Sequence, residues 1–248
     1  MEMSQNKLLN ASSKNLRVLL FDIDGTLLST INRTLYRAQI AQAIINIFGT
    51  AGNLLEISFS GKTDLQIINE ALADEGVELT EIWEAFPKIE LEFAKVIDTL
   101  SQSGEVFKRC PNVEELLIKL SIDSRYLISL LTGNIESLSW KKLSHVGLRD
   151  YFPNPGAFGS DHDNRIMLTS IASERITKFL GVESLSPDQF IIIGDTVRDI
   201  ACARHFGAKV LAVATGTTKL EELANAQPDL LFETLSDTDK VLSALASL

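Results

Sequence analysis

The sequence predicts an α/β protein: a doubly wound parallel sheet with an all-α domain inserted into it. Three observations predict it. Short apolar runs alternate with amphipathic stretches along most of the chain, the pattern of a parallel sheet covered on both faces. The interval from about Ser29 to about Lys108 breaks that alternation and keeps only helical spacing. Acidic turns stand directly after strand ends, where open α/β sheets bind their ligands.

The first strand is Leu16-Arg17-Val18-Leu19-Leu20-Phe21, closed by Asp22-Ile23-Asp24-Gly25-Thr26, with Gly25 as the breaker. In the interval that follows, Leu35, Ala38, Ala41, Ile44, Ile45 and Phe48 share one helical face. Leu65, Ile68 and Leu72 do so next, and Ile89, Phe93, Val96, Ile97 and Leu100 do so after Pro87. Four more strands are expected at Tyr126–Leu131, Phe190–Ile193, Lys209–Val213 and Leu230–Phe232. Helices are expected at Val113–Leu120, Ser137–Val146, Leu168–Leu180 and Val197–Phe206, with Gly147, Gly181 and Gly207 where C-terminal caps belong. The division that results is a polar leader at 1–14, a core at 15–29 and 106–248, and a helical insertion at 30–105. An insertion placed after the first strand is expected to act as a lid.

Composition narrows the function classes. At 248 residues and 45% hydrophobic, the chain has enough material for a substantial core. A net charge of −10 argues against nucleic acid or an anionic membrane as partner, since both need a basic face. No apolar stretch approaches ~20 residues, so no membrane helix is predicted. Met1–Lys7 lacks a signal-peptide pattern, so a cytoplasmic location is expected. Cys110 and Cys202 read as buried free thiols. His145, His162 and His205 form no ligand set, which argues against zinc.

The chemistry-bearing residues fall at strand ends. Asp22 and Asp24 are close enough to repel unless a cation or a shared proton relieves them. Thr132-Gly133-Asn134 ends a core strand and opens a helix, a plausible phosphate cradle of backbone N–H groups and one hydroxyl. Gly194-Asp195-Thr196-Val197-Arg198-Asp199 ends another strand with two further acids. Lys141 and Lys142 stand on the helix between these stations. The parts suit metal-assisted phosphoryl transfer: oxygen ligands for Mg²⁺, a carboxylate nucleophile, and a second carboxyl to move protons.

Asp22-x-Asp24-Gly25-Thr26, Thr132, a basic residue and Gly194-Asp195-x-x-x-Asp199 resemble, in order, the four motifs of the haloacid dehalogenase superfamily. The insertion is similar to the helical cap of its phosphoglycolate-phosphatase-like and β-phosphoglucomutase-like branch. The resemblance implies a Rossmann-like core, with Asp22 as nucleophile, Asp24 as general acid/base and Thr132 as phosphate ligand. It implies Mg²⁺ on Asp22, the Asp24 carbonyl and Asp195, with Asp199 supporting them. Gly25, Thr26, Gly133 and Asn134 would complete the phosphate site, and a small phosphorylated metabolite would be the substrate. The chain departs from the family at its third motif, where many relatives carry a Lys-Pro pair. Lys142 is the preferred basic residue, with Lys141 and Arg165 as rivals.

In the insertion, Ser60-Gly61-Lys62-Thr63-Asp64 precedes a helix, and residues 33–104 hold 5 basic against 11 acidic side chains. Lys62 is therefore a positive charge in acidic surroundings. The stretch reads either as a helix N-cap through Thr63 or Asp64, or as a substrate-contacting loop through Gly61 and Lys62. Asp24 disfavours a dehalogenase, which needs no second acid, and a phosphonatase, which carries alanine there. A β-phosphoglucomutase-like phosphotransferase keeps both acids, and a non-catalytic binding protein on the same fold is the alternative from another class. A dinucleotide binder would need a Gly-x-Gly-x-x-Gly, and none occurs.

Overall fold

The computed structural model describes residues 15–104 and 106–248, so the leader read at 1–14 lies outside the described residues. Strand β1 spans Arg17–Phe21, and β2, Leu28–Thr30, leads into four helices: α1 Arg33–Phe48, α2 Asp64–Leu72, α3 Leu79–Glu84 and α4 Phe86–Gln102. The chain returns through β3, Phe107–Arg109, and then runs α5 Val113–Ile122, β4 Tyr126–Leu130 and α6 Glu136–His145. It closes with α7 Arg165–Leu180, β5 Phe190–Gly194, α8 Val197–Phe206, β6 Lys209–Val213, α9 Leu220–Asn225, β7 Leu230–Phe232 and α10 Thr238–Leu245.

A five-stranded sheet has the order β4-β1-β5-β6-β7, every pairing parallel. β1 therefore sits between β4 and β5, which gathers the ends of three strands around Asp22. Side chains alternate across this sheet into two cores. Leu19, Phe21, Ile128, Ile191, Ile193, Leu211 and Val213 belong to the cluster that also takes in α5, α6, α10 and the inserted helices. Val18, Leu20, Phe190, Ile192 and Val210 belong to the opposite one, under α7, α8 and α9. Strands apolar on both faces are the physical signature of a doubly covered sheet. The expected α/β class is what forms.

Several elements escaped the sequence reading. β2 and β3 pair antiparallel, Leu28 against Arg109 and Thr30 against Phe107. Three residues each, with polar or charged side chains at two of three positions, give too short a period to be read. The same brevity hides α3. α9 and α10 are likewise too short to stand out in the sequence, although α10 buries Val241 and Leu245. α7 begins at Arg165, three residues before the expected start, because Asn164 caps it through its side chain on the Ile166 amide. Pro87 lies inside the first turn of α4 rather than before the helix, a position where its missing N–H costs nothing.

Candidate active site

The crevice opens at the carboxyl ends of β1, β4 and β5. β1 delivers Asp22, whose amide donates to the Ile193 carbonyl at 2.9 Å, as though the strand ran one residue further. Gly25 then turns the chain with φ +87°, and any Cβ there would collide with the Asp195 carboxylate. The turn is closed by the Gly25 amide on the Leu28 carbonyl at 2.7 Å and by the Thr215 hydroxyl on the Gly25 carbonyl at 2.5 Å. Asp22 and Asp24 consequently leave the strand into different surroundings.

Asp22 is 4% exposed. Its carboxylate shares a cluster with Asp195 and Asp199, all ligand oxygens lying within 4.8 Å of one another. Arg165, also 4% exposed, reaches Asp22 at 3.2 Å and Asp199 at 2.6 Å. Burial pushes the Asp22 carboxyl up to about 6; Arg165 opposes the rise and Asp199 adds to it. Burial also holds Asp195 well above the usual carboxylate range, reinforced by Asp22 and Asp199. Asp199 has both oxygens engaged, one by Arg165 and the other by the Thr196 amide at 3.0 Å and hydroxyl at 2.6 Å. Asp195 differs: its Oδ1 is buried with no hydrogen-bond partner. An orphaned carboxylate oxygen among other acids is costly unless a cation meets it. These residues fit a hard divalent ion, with Asp22 and Asp195 presenting oxygens and Asp199 braced behind them.

Asp24 stands apart from that cluster. Its side chain is 38% exposed and accepts from Lys142 Nζ at 2.7 Å and from Asn134 Nδ2 at 2.7 Å. Lys142 also donates to Asn134 Oδ1 at 2.5 Å, and Asn134 Nδ2 touches Thr132 Oγ1 at 3.0 Å. Burial disfavours the Lys142 charge, but Asp24, Tyr36 and Asp64 overcome this and hold its ammonium above the usual lysine range.

The structure thus divides the candidate basic residues. Lys142, preferred on sequence, contacts Asp24 and not Asp22. The cation against Asp22 is its rival Arg165, and Lys141 instead pairs with Asp98. Lys142 shares the helix after Thr132, which made it the natural choice. Arg165 arrives from a helix 30 residues downstream of Ile135, through a loop with no recognisable pattern.

Thr132 and Thr26 are fully buried, Thr26 with its hydroxyl unpartnered. Gly133 lies so close to the inserted loop that a Cβ would strike the Lys62 carbonyl. That loop seats firmly on the core. The Asp64 amide donates to the Gly133 carbonyl at 2.8 Å, the Ile135 amide donates to Asp64 Oδ2 at 2.8 Å, and the Thr63 hydroxyl donates to the Asp163 carbonyl at 2.6 Å. Thr63 is also the N-cap of α2, accepting from the Gln66 amide at 3.0 Å. The N-cap reading of residues 60–64 holds at Thr63, and Gly61 and Lys62 line the cavity beside Asp22 and Asp24. Lys62 is paired with Glu70. Nothing in the sequence marks Asp64 as more than a candidate helix cap. Burial raises its carboxyl to about 6 against the opposing pull of Lys142 and the Ile135 amide. Tyr36, likewise unsignalled, is pushed to about 12, by burial first. Only the folded chain brings these two beside Lys142. Cys110 and Cys202 are buried free thiols, as expected.

Comparison with known proteins finds relatives of the same fold. A family model described as HAD-hydrolase-like matches residues 164–238, the stretch that holds Arg165, Asp195 and Asp199. Phosphoglycolate phosphatase of Vibrio cholerae is 23% identical over 220 residues, covering 88% of this chain and 93% of that protein. Among solved structures, a predicted phosphoglycolate phosphatase from Haemophilus somnus 129PT superposes with a TM-score of 0.63 at 20% identity, covering 92% of this chain and 98% of the other. A haloacid dehalogenase-like family hydrolase from Streptococcus pneumoniae gives 0.59 at 21% identity, covering 94% and 99%. No helix among the described residues is long and apolar enough to cross a membrane.

Proposed function

We propose that the chain is a member of the haloacid dehalogenase superfamily, on its phosphoglycolate-phosphatase-like branch, and that it hydrolyses small phosphate monoesters through a phosphoryl group carried on Asp22. The observation that carries this reading is the difference between the two acids of one turn. Asp22 is buried against Arg165 and the acidic cluster, whereas Asp24 is half-exposed and held by Lys142 and Asn134. Two carboxyls in unlike environments take unlike duties.

Asp22 attacks phosphorus as the carboxylate, which the Arg165 guanidinium beside it favours. Asp24 donates a proton to the departing alkoxide and then takes one from the water that cleaves the aspartyl-phosphate. Lys142 and Asn134 grip one Asp24 oxygen, Oδ2, leaving Oδ1 for the proton. Thr132, the Gly133 and Asn134 amides, Gly25 and Thr26 surround the phosphoryl oxygens. Mg²⁺ on Asp22, Asp195 and the Asp24 main chain, with Asp199 behind, would supply positive charge for those oxygens. Residues 30–105 act as the cap over a core of 15–29 and 106–248, shielding the intermediate from stray water. Gly61 and Lys62 would face the bound ester from the cap side. The net charge favours a small phosphorylated metabolite over nucleic acid.

Purified protein should hydrolyse p-nitrophenyl phosphate with Mg²⁺, lose activity in EDTA, and lose it in Asp22→Asn. Turnover by Asp22→Asn, or unchanged turnover in EDTA, would sink the mechanism.

A further inference from the structure

The cavity that reaches Asp22 and Asp24 has a volume of about 300 Å³, more than a phosphoryl group and a two-carbon acid would fill. Its core end is polar. Its far wall, contributed by the inserted helices and the loop before α2, is not: Ile40, Leu54, Phe59, Ile67, Ile68 and Phe93 line it. The polar groups on that wall are mostly committed to the protein. Arg37 donates to the carbonyls of Leu54, Leu55 and Ile57 at 2.9, 3.1 and 2.7 Å and lies over the Phe59 ring at 4.2 Å. Lys62 pairs with Glu70, and Asp64 accepts from the Ile135 amide. Ser60 meets Thr217 at 3.2 Å. Arg33, the remaining cation lining the cavity from the inserted helices, is exposed and so stands at the mouth rather than the floor.

A leaving group rich in hydroxyls or carboxylates would lose water against this wall and find few free partners. An apolar one loses nothing. Resting on the phosphatase reading above, we infer that the substrate is a phosphate monoester of an apolar alcohol, a short alkyl or aryl group seated against Ile40, Ile67, Ile68 and Phe93, rather than of a hydroxy acid or polyol.

Calorimetric titration of the protein with Mg²⁺ and the n-alkylphosphonates from methyl to pentyl tests the wall without requiring turnover. Affinity should tighten about fourfold per added methylene, equivalent to ~0.8 kcal/mol, until the cavity is full. A flat series overturns the inference, as does phosphonoacetate binding more tightly than propylphosphonate, which would place a carboxylate on Arg33. Ile67→Asn, checked for a native melting transition, should flatten the slope; a slope that persists removes α2 from the subsite. Hydrolysis is scored separately with butyl phosphate and 2-phosphoglycolate. A rising phosphonate series with neither ester hydrolysed would leave the apolar subsite standing and remove the phosphatase reading. Preferential hydrolysis of 2-phosphoglycolate would remove the subsite and keep the phosphatase.

Discussion

The two walls of the crevice are built on opposite principles. The core wall buries five charged groups, Asp22, Asp195, Asp199, Lys142 and Arg165, each no more than 4% exposed. The wall from the insertion is chiefly apolar, and its Arg37 and Lys62 are tied to its own carbonyls and to Glu70. Charges out of water are expensive, so their concentration on the core wall marks where a reaction would draw on an electrostatic field. On the function proposed above, the difference would make reaction and selection separable: the core would decide which bond breaks, and the insertion would decide what is attached to it.

The strongest challenge to that division is Asp22→Asn, which should lower kcat by about 10³-fold or more while phosphonate binding survives. Measured together, the two readouts ask whether the core wall carries the chemistry alone; a loss of both would break the division. Next in size, Arg165→Met removes the cation that Asp22 and Asp199 share and leaves two buried carboxylates facing one another. Breaking a buried pair costs about 3–5 kcal/mol, so a large drop in denaturation midpoint should accompany loss of turnover. Lys142→Met should cost less stability, since Asp24 can turn to water, and should act mainly on kcat. If Lys142→Met abolishes turnover and Arg165→Met does not, the assignment of cations to acids is wrong. Gly133→Ala tests the seam between the walls. Its Cβ would push the Lys62 carbonyl away, so KM should rise more than kcat falls in steady-state kinetics. The smallest effect is expected for Thr63→Ala, which loses the α2 cap and the Asp163 contact for roughly 1–2 kcal/mol by chemical denaturation, with kcat little changed.

Much of the core wall was legible from the chain. Asp22, Asp24, Thr132 and Asp195 lie just after strands whose apolar runs are unmistakable, Asp199 opens the helix that follows the last of them, and a strand end in a parallel sheet always faces the same edge. Arg165 was harder. Its partner Asp22 is 143 residues away, and nothing local distinguishes an arginine that begins a helix to meet a buried acid from one that begins a helix in solvent. The insertion wall was legible only as helices. Ile67 and Ile68 are neighbours on α2, and both line the cavity. Helical spacing alone marks such residues as core.

The chain by itself therefore determined the α/β class, the crevice and the acids in it, because strand periodicity and turn residues are local properties written in consecutive positions. Only the tertiary structure decided which cation answers which acid, that the loop at Gly61–Asp64 sits on Gly133, and that the insertion turns an apolar face toward the acidic crevice. Those facts depend on distances between segments far apart in sequence, set by how two layers of helices close over one sheet.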